Sequence, residues 1–175
     1  MTATTTPEAA VAPIRRPGRP AVTGAGSPAG ATSPLPVGKL GGVPPQALAI
    51  LKGRRITLCS QLLAVAGKAV RREALAASTG LDPDLLLRLV QRADRARLKG
   101  VGVVFGRMLE DLGVRDVQTL AAQDPEVLHA RLRAYNLEER LARRSPTPEE
   151  VRDWVAQARS LPVLVSYRAA EPDAH

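Results

Sequence analysis

The chain is poor in aromatic residues and in cysteine, and both shortages exclude classes of function. Its 175 residues include one Phe, two Tyr and one Trp, too few for the rows of stacking rings on which single-strand-binding barrels hold bases. The single cysteine, Cys59, excludes an intramolecular disulfide and a cysteine-based zinc site. We therefore expect neither a ring-based nucleic-acid reader nor a protein that depends on an oxidising compartment.

Long apolar runs are also missing. No run approaches the roughly 18 to 20 apolar residues of a membrane-spanning helix, and the N-terminal stretch lacks the apolar segment of a secretory signal. We therefore expect a cytoplasmic protein with no membrane partner.

The residue patterns of catalysis are absent from the sequence. The two histidines, His129 and His175, lie far apart, and Cys59 lies among leucines, where a buried thiol is the ordinary explanation. Acidic pairs such as Glu138-Glu139 adjoin arginines and are typical of a neutralised helix surface. There is no phosphate-loop signature and no nucleophile with a base. We expect no catalysis, no metal, no cofactor and no small-molecule substrate.

Composition divides the chain into three parts. Residues 1–45 hold nine Pro and seven Gly without apolar periodicity, which predicts a disordered, basic tail. Residues 46–162 are rich in Leu, Ala, Val and Arg at helical spacing and form the predicted domain, and residues 163–175 are a short C-terminal tail. Within the first tail, Arg15–Pro20 resembles a degraded AT-hook, although nonspecific phosphate attraction or a solvated tail explains it better.

The domain is predicted to be all-α. Asp82-Pro83, Asp124-Pro125 and Thr147-Pro148 are typical of an N-cap followed by a first-turn proline. A lone apolar triplet near residue 164 has no strand to pair with. The predicted helices cover residues 45–51, 55–66, 70–79, 83–98, 103–112, 116–122, 125–141 and 148–160.

An imperfect internal repeat divides the domain into two units. Leu51-Lys52-Gly53 recurs as Leu98-Lys99-Gly100, and the glycine at position 67 recurs at position 113. The units are about 46–97 and 98–162. We expect them to pack together around one core.

The turn of the second unit carries the clearest chemical signal. Gly100 and Gly102 flank Val101, so the backbone can turn tightly while the valine anchors it in the core. The helix that follows starts at once and leaves its first N–H groups without partners inside the helix. These amides and the helix macrodipole form a potential anion site.

This stretch resembles the helix-hairpin-helix motif, whose Gly-apolar-Gly turn binds the DNA backbone without reading sequence. Over roughly residues 47–162 the chain also resembles a bacterial family known as domain of unknown function 4332, placed in the helix-hairpin-helix superfamily. The resemblance implies the fold and a nucleic-acid surface, and the family has no established activity. The residues that carry it are Ala93-Asp94, Gly113-Val114, Val117, Leu120-Ala121, Asn136, Pro146 and Val151–Ala158.

Positive charge is concentrated before the second turn. Residues 46–100 contain eleven basic and four acidic side chains, whereas residues 101–175 contain ten and twelve, as a one-sided phosphate footprint requires. On the helix that leads into the turn, basic residues at spacings of four, three and four predict one stripe. The candidate phosphate contacts are Arg88, Arg92, Arg95, Lys99 and Arg107, with Arg71 and Arg72 as weaker candidates.

The first turn departs from the motif because Gly53 is followed by Arg54 and Arg55 and not by a second glycine. The amide cradle is therefore doubtful there. Lys52 and the two arginines contact phosphate through their side chains, or the first unit only braces the second. We favour bracing together with side-chain contact.

The leading hypothesis is a non-catalytic, largely sequence-independent module that binds the backbone of duplex DNA, and such a protein would be nucleoid-associated. The alternative is a protein-interaction adaptor in which the Ala/Leu-rich helices or the acidic C-terminal unit dock another chain, with the N-terminal tail as a tether. An accessory role beside a DNA-processing enzyme is compatible with both.

Overall fold

A computed structural model describes residues 34–167. Within that range the chain forms a short 3-10 turn at Val37–Lys39, eight α-helices and no strand, which confirms the predicted all-α class. The helices are α1 (Pro45–Gly53), α2 (Cys59–Ala66), α3 (Ala69–Thr79), α4 (Pro83–Arg95), α5 (Val103–Asp111), α6 (Val117–Ala121), α7 (Pro125–Glu139) and α8 (Pro148–Ser160).

Three helices begin where the cap chemistry predicts. Asp82 accepts a hydrogen bond from the Leu85 N–H at 2.8 Å at the start of α4, and Asp124 plays the same part for α7. At α8, Thr147 and Glu150 form a reciprocal capping box. Each cap satisfies an N–H group that the helix itself leaves unpaired.

Helix α2 begins at Cys59 and not at residue 55, the predicted start. Arg55 adopts the left-handed region at φ 61°, which interrupts the helix. The chain then runs extended beside an upstream segment, and Pro36 forms an isolated antiparallel bridge with Leu58. The bridge partner lies more than 20 residues away in the sequence, so local spacing could not indicate it.

The expectation of one shared core is wrong, because the buried side chains form two clusters. The first core joins α1 to α4 and the second joins α5 to α8. Charged residues occupy the junction: Asp94 is 2% exposed and accepts from the Val117 N–H at 2.9 Å, and it pairs with Arg97. Burial raises the pKa of Asp94, against the opposing effects of these two partners. Such groups must stay paired, which keeps the apolar cores apart.

The folded region extends beyond both predicted boundaries. Residues 34–45, assigned from composition to the N-terminal tail, contribute Val37 and Leu40 to the first core. The Val37 N–H donates to the Thr57 carbonyl at 2.9 Å. At the other end Val165, 3% exposed, packs in the same core. The AT-hook-like segment lies outside the described residues, as does the rest of 1–33.

The C-terminal segment is fastened to the turn between α2 and α3. Arg72, predicted as a weak phosphate contact, is buried and donates to the carbonyls of Ala66, Gly67 and Ser166. A Cβ on Gly67 would lie 2.6 Å from the Leu164 carbonyl oxygen, so this contact requires glycine. Arg72 therefore has a structural role.

None of the helices between residues 34 and 167 has the length and apolarity to cross a membrane.

Candidate functional site: the turn between α4 and α5

The turn between α4 and α5 has the conformation that its two glycines suggest. Gly100 lies at φ 85°, where side chains are disfavoured, and a Cβ there would lie 3.2 Å from Trp154 Nε1. Val101 is half-buried against the second core, as an anchor should be. Gly102 is exposed and precedes the first residue of α5.

Helix α8 holds the turn in place through the side chain of Gln157. The Lys99 N–H donates to Gln157 Oε1 at 2.8 Å, and Gln157 Nε2 donates to the Lys99 carbonyl at 3.2 Å. Because both backbone groups of Lys99 are satisfied by one side chain, the turn is held in place without use of the amides that follow.

Six consecutive backbone N–H groups, from Gly100 to Phe105, have no acceptor within residues 34–167. Gly102 supplies no side-chain cap, and the first backbone bond of α5 runs from the Gly106 N–H to the Gly102 carbonyl at 2.8 Å. Val103 is 62% exposed and Val104 is 46% exposed. The donors therefore lie at a surface, at the positive end of a helix.

The turn between α1 and α2 differs, because every N–H from Arg54 to Cys59 has an acceptor. The carbonyls of α1 accept the first three. The Gln61 side chain accepts the N–H groups of Thr57 and Leu58, and the last donates to the Leu35 carbonyl at 2.9 Å. None of these six amides is left for an anion.

Side chains of the first turn remain on the surface. Lys52, Gly53 and Arg55 are exposed, and Arg54 is exposed but donates to the Ser78 carbonyl at 2.7 Å. This arrangement is compatible with bracing and with side-chain contact to phosphate.

The predicted basic stripe on α4 does not form one exposed face. Arg92 donates through Nε and Nη2 to the two oxygens of Glu110, at 3.0 and 2.9 Å, and through Nη1 to the Gly41 carbonyl. Arg95 is 4% exposed, pairs with Glu110 at 2.7 Å and also donates to the Arg115 carbonyl. These two arginines join the halves of the molecule and are not available to a phosphate strand.

Charge and burial explain the titration of this cluster. Burial by itself would raise the pKa of Glu110, but hydrogen bonds from Arg92 and Arg95 outweigh it and lower that pKa to about 2. Burial lowers the pKa of Arg95, and the bond to Glu110 opposes the change. Glu110 is therefore an anion at neutral pH, balanced by its partners.

Other predicted cations are accessible. The Lys99 side chain is exposed beside the turn. The Arg107 side chain is 73% exposed and only loosely paired with Asp111, at 3.7 Å. Arg88 is half-exposed, 3.9 Å from Asp82 and away from the turn. Arg71 is exposed and donates to the Ala64 carbonyl.

Sequence reasoning missed the residues that face the turn from elsewhere in the chain. Lys39, Gly41 and Gly42 lie across a cleft from the start of α5, and Gly106 lines the same cleft. Glu110 follows its arginine partners by 15 and 18 residues, so no helical spacing relates them. The adjacent acidic residues Glu110 and Asp111, at the end of α5, were the one available signal.

Comparison with known proteins gives a single result. No curated protein and no solved structure matches the chain. The model of the family described as domain of unknown function (DUF4332) matches residues 41–161, more than two thirds of the sequence. That range includes both turns and all of α1 to α8. The chain therefore belongs to the DUF4332 family.

Proposed function

We propose that this protein is a non-catalytic, helix-hairpin-helix type module that binds the DNA backbone largely without regard to sequence, through the turn between α4 and α5. The observation that carries the proposal is the row of six unpaired amides from Gly100 to Phe105. Buried or unused donors at a helix start favour an anion, and the phosphate of DNA is the anion that suits a chain of net charge +8.

The contrast between the two turns supports this assignment. In the first turn the amides from Arg54 to Cys59 donate to the carbonyls of α1, to the Gln61 side chain and to the Leu35 carbonyl, so none of them needs a ligand. The second turn has the same local shape of helix, turn and helix but leaves its donors exposed. These exposed donors bind water until a ligand replaces it.

The cations beside the second turn complete the proposed surface. Lys99 and Arg107 are exposed, and Lys39 is exposed on the neighbouring segment. We exclude Arg92 and Arg95 from the surface because both are bound to Glu110. The first turn braces the fold and adds Lys52 and its arginines where the strand reaches them.

A salt titration of binding tests the proposal. A fluorescently labelled duplex is titrated with the protein at several salt concentrations. With three exposed cations at the turn, each contributing about 0.9, the plot of log affinity against log salt should have a slope near −3. Absence of binding at low salt contradicts the proposal. A different slope with intact binding changes only the number of contacts.

Gly102→Val locates the binding surface. A Cβ at Gly102 meets no atom within 4 Å, so the variant should fold, but its side chain covers the amides. Gly53→Val is the matched control, because a Cβ there also meets nothing and the amides of that turn are already paired. We expect loss of binding in the first variant alone, with unchanged helix content by circular dichroism in both.

Protein–protein interaction remains the second candidate, and helix α7 favours it. One face of α7 carries apolar side chains at heptad spacing that no other described element covers: Val127, Ala130, Ala134 and Leu137. Val127 is 57% and Leu137 69% exposed. The C-terminal half of this face suits a second copy of the chain, since an antiparallel pair with Ala134 against Leu137 of the second copy puts Arg133 opposite Glu138.

Sedimentation velocity over a range of protein concentrations tests this candidate. Self-association that Leu137→Glu abolishes supports it. Val70→Glu is the matched control, because Val70 is a similarly exposed valine, 56%, on α3. A protein that stays monomeric at high concentration, or two variants that behave alike, contradicts it.

A further inference from the structure

A cleft of about 340 Å³ lies between the start of α5 and the segment that follows the 3-10 turn. Lys39, Gly41 and Gly42 form one wall, and the turn before α5 forms the other. The first wall belongs to the segment that composition assigned to the tail. The volume is at the small end of the range for ligand pockets.

Arg92 holds in place the wall that Lys39, Gly41 and Gly42 form. Its Nη1 donates to the Gly41 carbonyl at 2.9 Å. Gly41 and Gly42 lie at φ 75° and 64°, and a Cβ on Gly42 would lie 2.9 Å from that same nitrogen. The chain therefore passes close over the guanidinium in a conformation suited to glycine, which makes the cleft a fixed feature.

A buried donor lines the cleft without a partner. Arg95 is 4% exposed, and its two terminal nitrogens are engaged by Glu110 and the Arg115 carbonyl. Its Nε–H is the one buried side-chain polar atom within residues 34–167 that has no hydrogen-bond partner. An unsatisfied donor on a buried cation is costly, and an acceptor oxygen in the cleft would remove that cost.

Gly106 lies beside this buried donor. A Cβ at Gly106 would lie 4.0 Å from Arg95 Nε and 3.9 Å from Val101 Cγ1. In the middle of a helix, alanine would stabilise the protein by about 0.5–1 kcal/mol relative to glycine. Here a glycine leaves space beside the unpaired N–H.

The charge of the cleft favours an anion. Lys39, Arg92, Arg95 and Arg107 line it against the carboxylates of Glu110 and Asp111, which leaves an excess of two positive charges. The unpaired amides at the start of α5 add the positive end of a helix dipole. A phosphate monoester, with up to two negative charges and three terminal oxygens, matches both the charge and the donors.

We propose that this cleft binds a phosphate monoester group, with one oxygen on Arg95 Nε, others on the amides at the start of α5, and Lys39 closing over it. A monoester fits better than a diester, because a terminal phosphate can enter the cleft from one side and reach a buried donor. A phosphate within a continuous strand is attached on both sides, so the strand would have to pass into the cleft and out of it again. The group belongs to a free nucleotide or to the 5′ end of a DNA strand. In the second case the inference rests on the proposed function.

Isothermal titration calorimetry with a nucleoside monophosphate, and with the unphosphorylated nucleoside as a blank, tests the site directly. We expect one site per chain. Gly106→Ala places a methyl group beside Arg95 Nε without a clash and should weaken binding by about tenfold, the value of one hydrogen bond to a charged group. Lys39→Ala should weaken it by roughly threefold or more.

Lys68→Ala is the matched control. Lys68 is exposed at the start of α3, does not line the cleft and carries the same charge as Lys39. It should change affinity less than about twofold, because Lys68 does not line the cleft and salt screens an exposed charge. Equal affinity of all three variants for the monophosphate overturns the inference. A protein that does not bind the monophosphate, and that binds a duplex equally well with and without a 5′-phosphate, also overturns it.

A pair of blunt duplexes, with 5′-phosphate or 5′-hydroxyl ends, distinguishes the sources. A preference for the phosphorylated duplex that Gly106→Ala removes identifies a strand end. Monophosphate binding with no preference between the duplexes identifies a free nucleotide. Monophosphate binding without affinity for either duplex supports the cleft and contradicts the proposed function, so the two can fail separately.

Discussion

Glu110 connects the two halves of the molecule, and Glu110→Gln should show how much stability depends on that connection. Its carboxylate accepts from Arg92 and from Arg95, and the Glu110 side chain is 19% exposed. The change to Gln keeps the shape and removes the charge. It leaves the guanidinium of Arg95, 4% exposed, without its counter-ion, which is the costly way to break a buried pair.

The expected loss of stability follows from the lowered pKa of Glu110. Its pKa falls from the ordinary 4.5 to about 2, and each unit corresponds to about 1.4 kcal/mol, so the ionised group contributes at most about 3 kcal/mol. Because the folded pKa is below the unfolded one, this contribution is present above pH 5 and is lost as the pH falls towards 2. The protonated Glu110 then resembles Gln.

Urea denaturation, followed by circular dichroism at several pH values, measures this. At pH 7 the variant should be less stable by up to about 3 kcal/mol, and the urea midpoint should fall by as much as roughly 1–2 M. The difference from the wild type should shrink towards zero near pH 2. Glu126→Gln removes an exposed pair with Arg152, 60% and 52% exposed, and should cost less than about 1 kcal/mol. Equal effects of the two substitutions, or a difference that does not depend on pH, would refute the reasoning.

Two further predictions concern the first core. Gly67→Ala places a Cβ 2.5 Å from the Leu63 carbonyl oxygen and 2.6 Å from that of Leu164, so it should destabilise the protein by about 1–3 kcal/mol; limited proteolysis should then cut the segment 162–167 faster than in the wild type. Cys59 is fully buried and burial raises the pKa of its thiol to about 11, so at pH 8 Ellman's reagent should label the native protein at least about a hundredfold more slowly than the protein in urea; rapid native labelling would contradict the burial.

The helices could be predicted from the sequence because their start signals are local. Asp82, Asp124 and Thr147 each precede a proline, and each caps the predicted helix. The predicted start of α2 is too early because its true start depends on a bridge to Pro36. Its partner is distant in the sequence, and the Pro/Gly-rich composition around it is typical of a tail.

Of the candidate site, only the backbone conformation of the turn could be predicted from the sequence. Two glycines around a valine indicate a tight turn, and the structure has Gly100 in the left-handed region and the following amides unpaired. The arginine stripe was a weaker inference, because helical spacing shows which residues share a face but not what that face meets. Arg95 faces Glu110 from the other half of the molecule, and only tertiary packing decides that it is buried.

Val165 packs in a core whose other members, apart from its neighbour Leu164, all lie between residues 35 and 96. During synthesis the N-terminal half leaves the ribosome long before this residue does, and domains tend to fold in order of emergence. The first core therefore stays incomplete, without Val165, until nearly all of the remaining chain has been synthesised. Cutting the protein between its two sequence units would leave the leading piece in that unfinished state.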